Sequence, residues 1–327
     1  MKLKLLFLAM AMISSTAVFA DVSVPYGEGS GKVDFLNYKK YPRLEDPYPT
    51  GPLSFRMVGD KTWVADSVGN KLIQYDKDGK LVSEFSILSN GVKPYDTNNK
   101  LKLPILNSRI EDLAPVLGEY GEVAAWWVID GIENRLLKFS VDGNKLAEIK
   151  HPNLKQPFRV EVGLGGNIFV ADKIDRSILI FDSDGKFYNK QSWEWSGMAV
   201  SGGDDILYRL MWDNEAHRNV LVSSNIQGKV LFAKMLEVEM FDPRLWWVDE
   251  SKGECLITYT PLEGFKGNLN IVKVGFDGKV KASGEFPAPA VMNRIIDHVD
   301  YSNIYIGKCN FFDAPEGNFE IVPYKLP

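Results

Sequence analysis

The sequence predicts an all-β fold, a six-bladed β-propeller of four-stranded antiparallel blades, on three observations. An aspartate recurs 13 residues before a turn glycine: Asp66 before Gly79, Asp130 before Gly143, Asp172 before Gly185. Turn glycines recur at 79, 143, 185, 228 and 278, at intervals of 64, 42, 43 and 50 residues. The C-terminal repeat is one strand short, while an N-terminal strand has no repeat of its own. A repeat of roughly 40–50 residues built from four short strands is the pattern of a propeller blade.

The N-terminus reads as a secretory signal. Lys2 and Lys4 precede an apolar run from Leu5 to Ile13, then Ser14-Ser15-Thr16, with Val18-Phe19-Ala20 as the cleavage site before Asp21. The run is too short for a span, which needs roughly 20 apolar residues. Residues 1–20 are therefore expected to be removed, leaving 21–327 as one exported domain, periplasmic or secreted. No later stretch is long and apolar enough to cross a bilayer.

Within 21–327, Thr62-Trp63-Val64-Ala65-Asp66, Lys71-Leu72-Ile73-Gln74-Tyr75-Asp76 and Asp78-Gly79-Lys80 form the first unit. It recurs from Trp126 to Gly143 and from Asn167 to Lys186. β-Branched and aromatic residues fill the runs, and Asp-Gly between two runs predicts a hairpin because glycine accepts positive φ. Gln227-Gly228-Lys229 and Asp277-Gly278-Lys279 repeat the turn. An Asn-, Lys- and Pro-rich insertion, Ser86 to Asn107, lengthens the first interval and is expected to lie over one channel mouth as a lid. The last blade has three strands, at Met292–Ile296, Asn303–Ile306 and Phe319–Val322. Lys32–Tyr38 is the spare strand that should close the ring and remove its open edges.

Pro157 to Lys186, with Gly166-Asn167-Ile168-Phe169-Val170-Ala171-Asp172 at its centre, resembles the NHL repeat. The match is good in blades one to three and reduces to strand order and turn in blades four to six. The resemblance implies a six-bladed propeller of the gluconolactonase/TolB-like superfamily. That superfamily includes lactonase-like enzymes, peptide-cyclising lyases and pure binding modules, so fold leaves function open.

Charge narrows the choice. The chain carries 38 basic and 43 acidic residues, a net charge of −5, and loss of Lys2 and Lys4 with the leader makes it −7. An acidic surface disfavours nucleic acid. The two cysteines, Cys255 and Cys309, fall in neighbouring repeats, as a disulfide or as two buried thiols. The three histidines, His151, His217 and His298, have no metal-ligand spacing.

An arginine stands at the start of most first strands: Arg56, Arg109, Arg159, Arg244 and Arg294, with Arg209 in blade four at or beside the repeat's Asp position. Guanidinium forks match carboxylate or phosphate. Arg56, Arg109 and Arg159 are expected to pair with Asp66, Asp130 and Asp172 in a structural ring. Arg209, Arg244 and Arg294, where that Asp is lost, are expected to hold an exogenous anion. The expected function is non-catalytic binding of an anionic small molecule, glycan or protein by a monomer, with no cofactor. The rival is a metal-dependent lactonase or hydrolase of gluconolactonase type, with calcium held by Glu111, Glu161, Asp249 and Asp297. The tryptophan doublets are expected to pack between blades, one ring facing each way, and Trp212, in a polar loop, to be exposed.

Overall fold

The computed structural model describes residues 21–37, 39–40, 50–88, 108–194, 196–201, 203–261, 267–289, 292–298 and 304–326. It adds, as backbone alone, 92–94, 104–106, 299–300 and 303. The signal segment lies outside these residues, as does most of the insertion.

Six four-stranded antiparallel sheets form the blades of a ring. Blade one is Ser54–Val58, Lys61–Asp66, Lys71–Asp76 and Leu81–Ser86; blade two is Ile110–Leu117, Val123–Asp130, Arg135–Ser140 and Lys145–Ile149. Blade three is Pro157–Val162, Ile168–Asp172, Ser177–Phe181 and Phe187–Ser192; blade four is Ala199–Ser201, Ile206–Asp213, Arg218–Ser224 and Val230–Met235. Blade five is Phe241–Asp249, Glu254–Thr260, Asn268–Gly275 and Val280–Pro287. Blade six takes Ile296–Asp300, Asn303–Lys308 and Asn318–Tyr324 from the C-terminus and its outer strand, Val22–Pro25, from the N-terminus.

The closing strand is thus not Lys32–Tyr38 but the segment ten residues earlier. Val22 pairs with Ile321 and Val24 with Phe319, and both valines are buried. Among the described residues of 32–38, Val33 and Leu36 make only single bridges, to Tyr26 and Thr50. Their alternation mimics a strand because Val33 and Phe35 plug the cluster between blades six and one.

The hairpin prediction holds in structural detail. Gly79, Gly143, Gly185, Gly228 and Gly278 all have φ between 74° and 86°. Each of these hairpins carries a register shift at the same place, between Gln74/Tyr75, Lys138/Phe139, Ile180/Phe181, Ser223/Ser224 and Lys273/Val274. A bulge beside an αL glycine twists the pair, which each blade needs.

The core is a set of apolar layers between blades. Trp126 faces blade one and Trp127 faces blade three, as strand alternation requires. The Trp246–Trp247 pair does not split this way. A register shift between Leu245 and Trp247 places both rings in the layer between blades five, six and one. Cys255 and Cys309 are free thiols. Cys255 lies in the layer between blades four and five, while Cys309 packs on the neighbouring one.

Candidate functional site

The repeat's aspartates do not neutralise the arginines. Each caps the turn between second and third strands. Asp130 accepts the N–H groups of Ile132 and Glu133, and Asp172 those of Ile174 and Asp175. Four residues after each Asp the chain turns through αL, at Asn70, Asn134 and Arg176. Blade four keeps the device: Asp213 accepts the N–H groups of Glu215 and Ala216, and His217 has φ 52°. The turn aspartate of blade four is therefore Asp213, and Arg209, expected at or beside that position, lies four residues ahead of it. Its guanidinium lies between blades three and four, donating to Gln191 Oε1 and Ser224 Oγ at 2.6 and 3.1 Å. Burial lowers its pKa, and it is not at the channel mouth.

Three arginines do reach the axis, and carboxylates meet them there. Arg294 grips Asp112 with Nε and Nη2 at 3.1 and 2.8 Å and reaches Glu161 at 2.9 Å. Arg56 donates to Glu161 at 2.9 Å and to the Leu113 carbonyl at 2.8 Å, and lies 3.8 Å from Asp297. Arg159 touches Glu161 and the Leu245 and Trp246 carbonyls, with its guanidinium 4.8 Å from the Trp246 ring centroid. Asp112 also accepts Ser54 Oγ and the Val160 N–H, from blades one and three. Three guanidinium groups thus face three carboxylates, Asp112, Glu161 and Asp297, in a neutral plug that ties together first strands from five blades.

Electrostatics agree with the geometry. Burial would raise the carboxyl pKa of Glu161, but Arg294, Arg56 and Arg159 outweigh it and hold the group well below the carboxylate range. Asp297 is lowered against burial by His298 and Arg56. Burial would lower Arg294, yet Asp112 and Glu161 raise it. Arg159 is pushed down to about 9 by burial and by Arg294, which still leaves it charged at neutral pH. The expectation of an unpaired Arg294 is corrected: its partner Asp112 comes from blade two and has no place in the repeat.

Above the plug the balance changes. Arg109 pairs with Glu111, which also accepts from Asn293 Nδ2 at 2.6 Å. Arg244 sits 3.7 Å from Asp242, with 37% of its side chain exposed. Lys173 lies over the Phe158 ring at 3.7 Å. Its pKa is lowered by burial first, with Glu111 raising it and Arg244 and Arg109 lowering it. Lys173 follows the end of a second strand, Arg109 and Arg244 stand at or near the starts of first strands, and antiparallel pairing puts these ends on one face of the ring. Lys173 was missed in the sequence because it follows the turn aspartate and reads as a solvated loop residue. Of the carboxylates proposed as metal ligands, Glu111, Glu161 and Asp297 are held by the groups above. Asp249 lies at the opposite end of its strand, capping the Ser251–Lys252 turn. Among the described residues no group of three or more His, Cys, Asp or Glu is arranged to hold a metal ion.

No protein-family model and no curated protein matches the sequence. Among solved structures, the chain is similar to a streptogramin B lyase (14% identity, 94% of this chain and 98% of that chain, TM-score 0.51). It is also similar to a member of the DUF4221 family from Bacteroides vulgatus (11%, 95% and 97%, 0.52). A luciferin-regenerating enzyme is a third (12%, 88% and 95%, 0.52). Their roles differ, and at such identities the likeness is one of fold. The chain is a six-bladed β-propeller.

Proposed function

We propose that this protein is an exported, monomeric propeller that binds an anionic ligand at one channel mouth without transforming it. One observation carries the reading. Arg109, Lys173 and Arg244 stand on one face of the ring, beneath which the axial charges already cancel. Glu111 pairs with Arg109 there, and Asp242 lies 3.7 Å from Arg244. A recessed positive site concentrates field on an anion even on an acidic protein.

Calorimetric titration of the mature chain with citrate and with inorganic phosphate tests the reading. Arg244→Ala and Lys173→Ala should each weaken binding by about tenfold, the loss of one charge-assisted contact. Equal affinity in wild type and both variants would overturn it. Stoichiometric calcium or zinc in the purified protein would favour the metal-dependent hydrolase instead. Export is checked by N-terminal sequencing of the periplasmic or secreted protein, which should begin at Asp21.

A further inference from the structure

The mouth continues into two adjoining clefts of ≈ 280 and ≈ 330 Å³, and Asp242 lines both. Trp212 and Phe241 line the first; Arg244 lines the second. Trp212 is 42% exposed and Phe241 64%, whereas every other described tryptophan is at most 5% exposed.

Two departures from the repeat build this exposure. The residue before the turn aspartate is Ala65, Ile129 or Ala171 in blades one to three, each wholly buried under a first strand. In blade four the first strand is only Ala199–Ser201 and pairs no further than Tyr208. Among the described residues no first-strand backbone pairs beyond Tyr208; instead Ser196 Oγ bonds the Leu210 carbonyl and the Glu194 carboxylate accepts the Trp212 N–H. Blade five then starts early. Phe241 pairs with Thr260, and a register shift before Arg244, with Asp242 at φ 47°, turns Phe241 and Asp242 outward. The gap left by one blade is thus edged by an aromatic ring from the next.

The lining is mixed. Trp212 and Phe241, with Leu210, Met240 and Pro243, stand among Glu194, Ser196, Asn219 and Asp242. A pyranose suits this lining: its C–H face packs on an aromatic ring, and its hydroxyls donate to carboxylates and amides. The neighbouring guanidinium adds a carboxylate-binding fork.

We infer that the anion bound at this mouth is an acidic saccharide, with a sugar ring on Trp212 and Phe241 and a uronate carboxylate on Arg244. This rests on the anion-binding reading above and narrows it. The experiment is calorimetry of the mature chain with digalacturonate, cellobiuronate, the neutral disaccharide cellobiose, 3-phenylpropanoate and citrate, with melting curves for every variant. At least one uronide should bind at least about tenfold tighter than cellobiose and 3-phenylpropanoate. Trp212→Ala should weaken the uronide by about tenfold while leaving citrate unchanged, and Trp212→Phe should restore most of the affinity. Arg244→Ala should weaken uronide and citrate together. If citrate binds through Arg244 but no uronide binds at millimolar concentration, the saccharide inference fails and the anion site stands. The same conclusion follows if 3-phenylpropanoate binds tighter than both uronides, or if Trp212→Ala leaves uronide binding intact. If Arg244→Ala changes neither uronide nor citrate, the anion-binding reading itself fails.

Discussion

Arg294 and Arg244 are both arginines near the start of a first strand, yet they differ in what surrounds them. Arg294 has 2% of its side chain exposed and Arg244 37%. Removing one partner of a buried pair leaves an uncompensated charge and costs about 3–5 kcal/mol. Arg294→Met should therefore lower the unfolding free energy by that amount in urea titration, because Asp112 and Glu161 remain buried. Arg244→Ala should change it by less than about 0.5 kcal/mol, as for a surface substitution. Equal effects would mean that the axial plug is not a buried ion network. The plug also sets a pH response. Glu161 is lowered in the folded state, so its contribution is present above its unfolded value of 4.5 and is lost as pH falls through the folded value. The difference in melting temperature between wild type and Glu161→Gln should be constant above about pH 5.5 and shrink below about pH 4. A difference that grows on acidification would reverse the sign and sink the assignment.

At the scale of the strand, closure and the blade four–blade five junction decide stability. Val22–Pro25 covers the edge of Asn318–Tyr324 and buries Val22 and Val24. Burying each valine contributes roughly 1.5–3 kcal/mol, and an open edge invites association. A chain starting at Gly27 should lose about 3–6 kcal/mol of stability and aggregate on concentration; unchanged melting would refute the closure. At the junction, Gly197 has φ 75° and bridges Leu245, and a Cβ there would meet the Leu245 carbonyl oxygen at 2.4 Å. That neighbour is backbone and cannot swing aside. Gly197→Ala combines a positive-φ penalty with a clash, so a loss of at least about 2 kcal/mol is expected in thermal melts. It should also disturb the Trp212 cleft, since Ser196 beside it holds the Leu210 carbonyl.

Across the whole molecule, charge is distributed unevenly. The chain is net negative at −5, three arginines and three carboxylates balance at its axis, and Arg109, Lys173 and Arg244 stand on one face of the ring. Attraction of an anion to such a site is screened by salt, with a Debye length of about 10 Å at 0.1 M. Citrate affinity should fall by at least about threefold between about 20 and 200 mM NaCl, while cellobiose, if it binds, should show no such loss. Salt-independent citrate binding would point away from the mouth. The insertion that begins after Ser86 leaves and rejoins the ring at one αL residue. Asn70 accepts the Ile87 and Leu88 N–H groups and donates from Nδ2 to the Ser108 carbonyl. The excursion therefore starts and ends on the face that carries the turns between second and third strands and Arg109.

Local chemistry in the sequence determined the blades. Turn glycines, turn aspartates and alternating apolar residues act over a few positions, so each repeat announced its own strands, and Trp212 its own exposure. The strand count also demanded closure, although two N-terminal segments alternated and only pairing with Asn318–Tyr324 selected Val22–Pro25. Tertiary structure alone decided the charge partners. Arg294 meets Asp112 across 182 positions, through a bulge in Ile110–Leu117 that no repeat alignment displays. In blade four the turn aspartate is Asp213, 15 residues before Gly228 rather than 13, so the offset does not mark it, and Arg209 lies four residues ahead of it. Spacing along a chain fixes hydrogen bonds within a turn, whereas which charges face each other across an axis depends on how six separate strands converge on it.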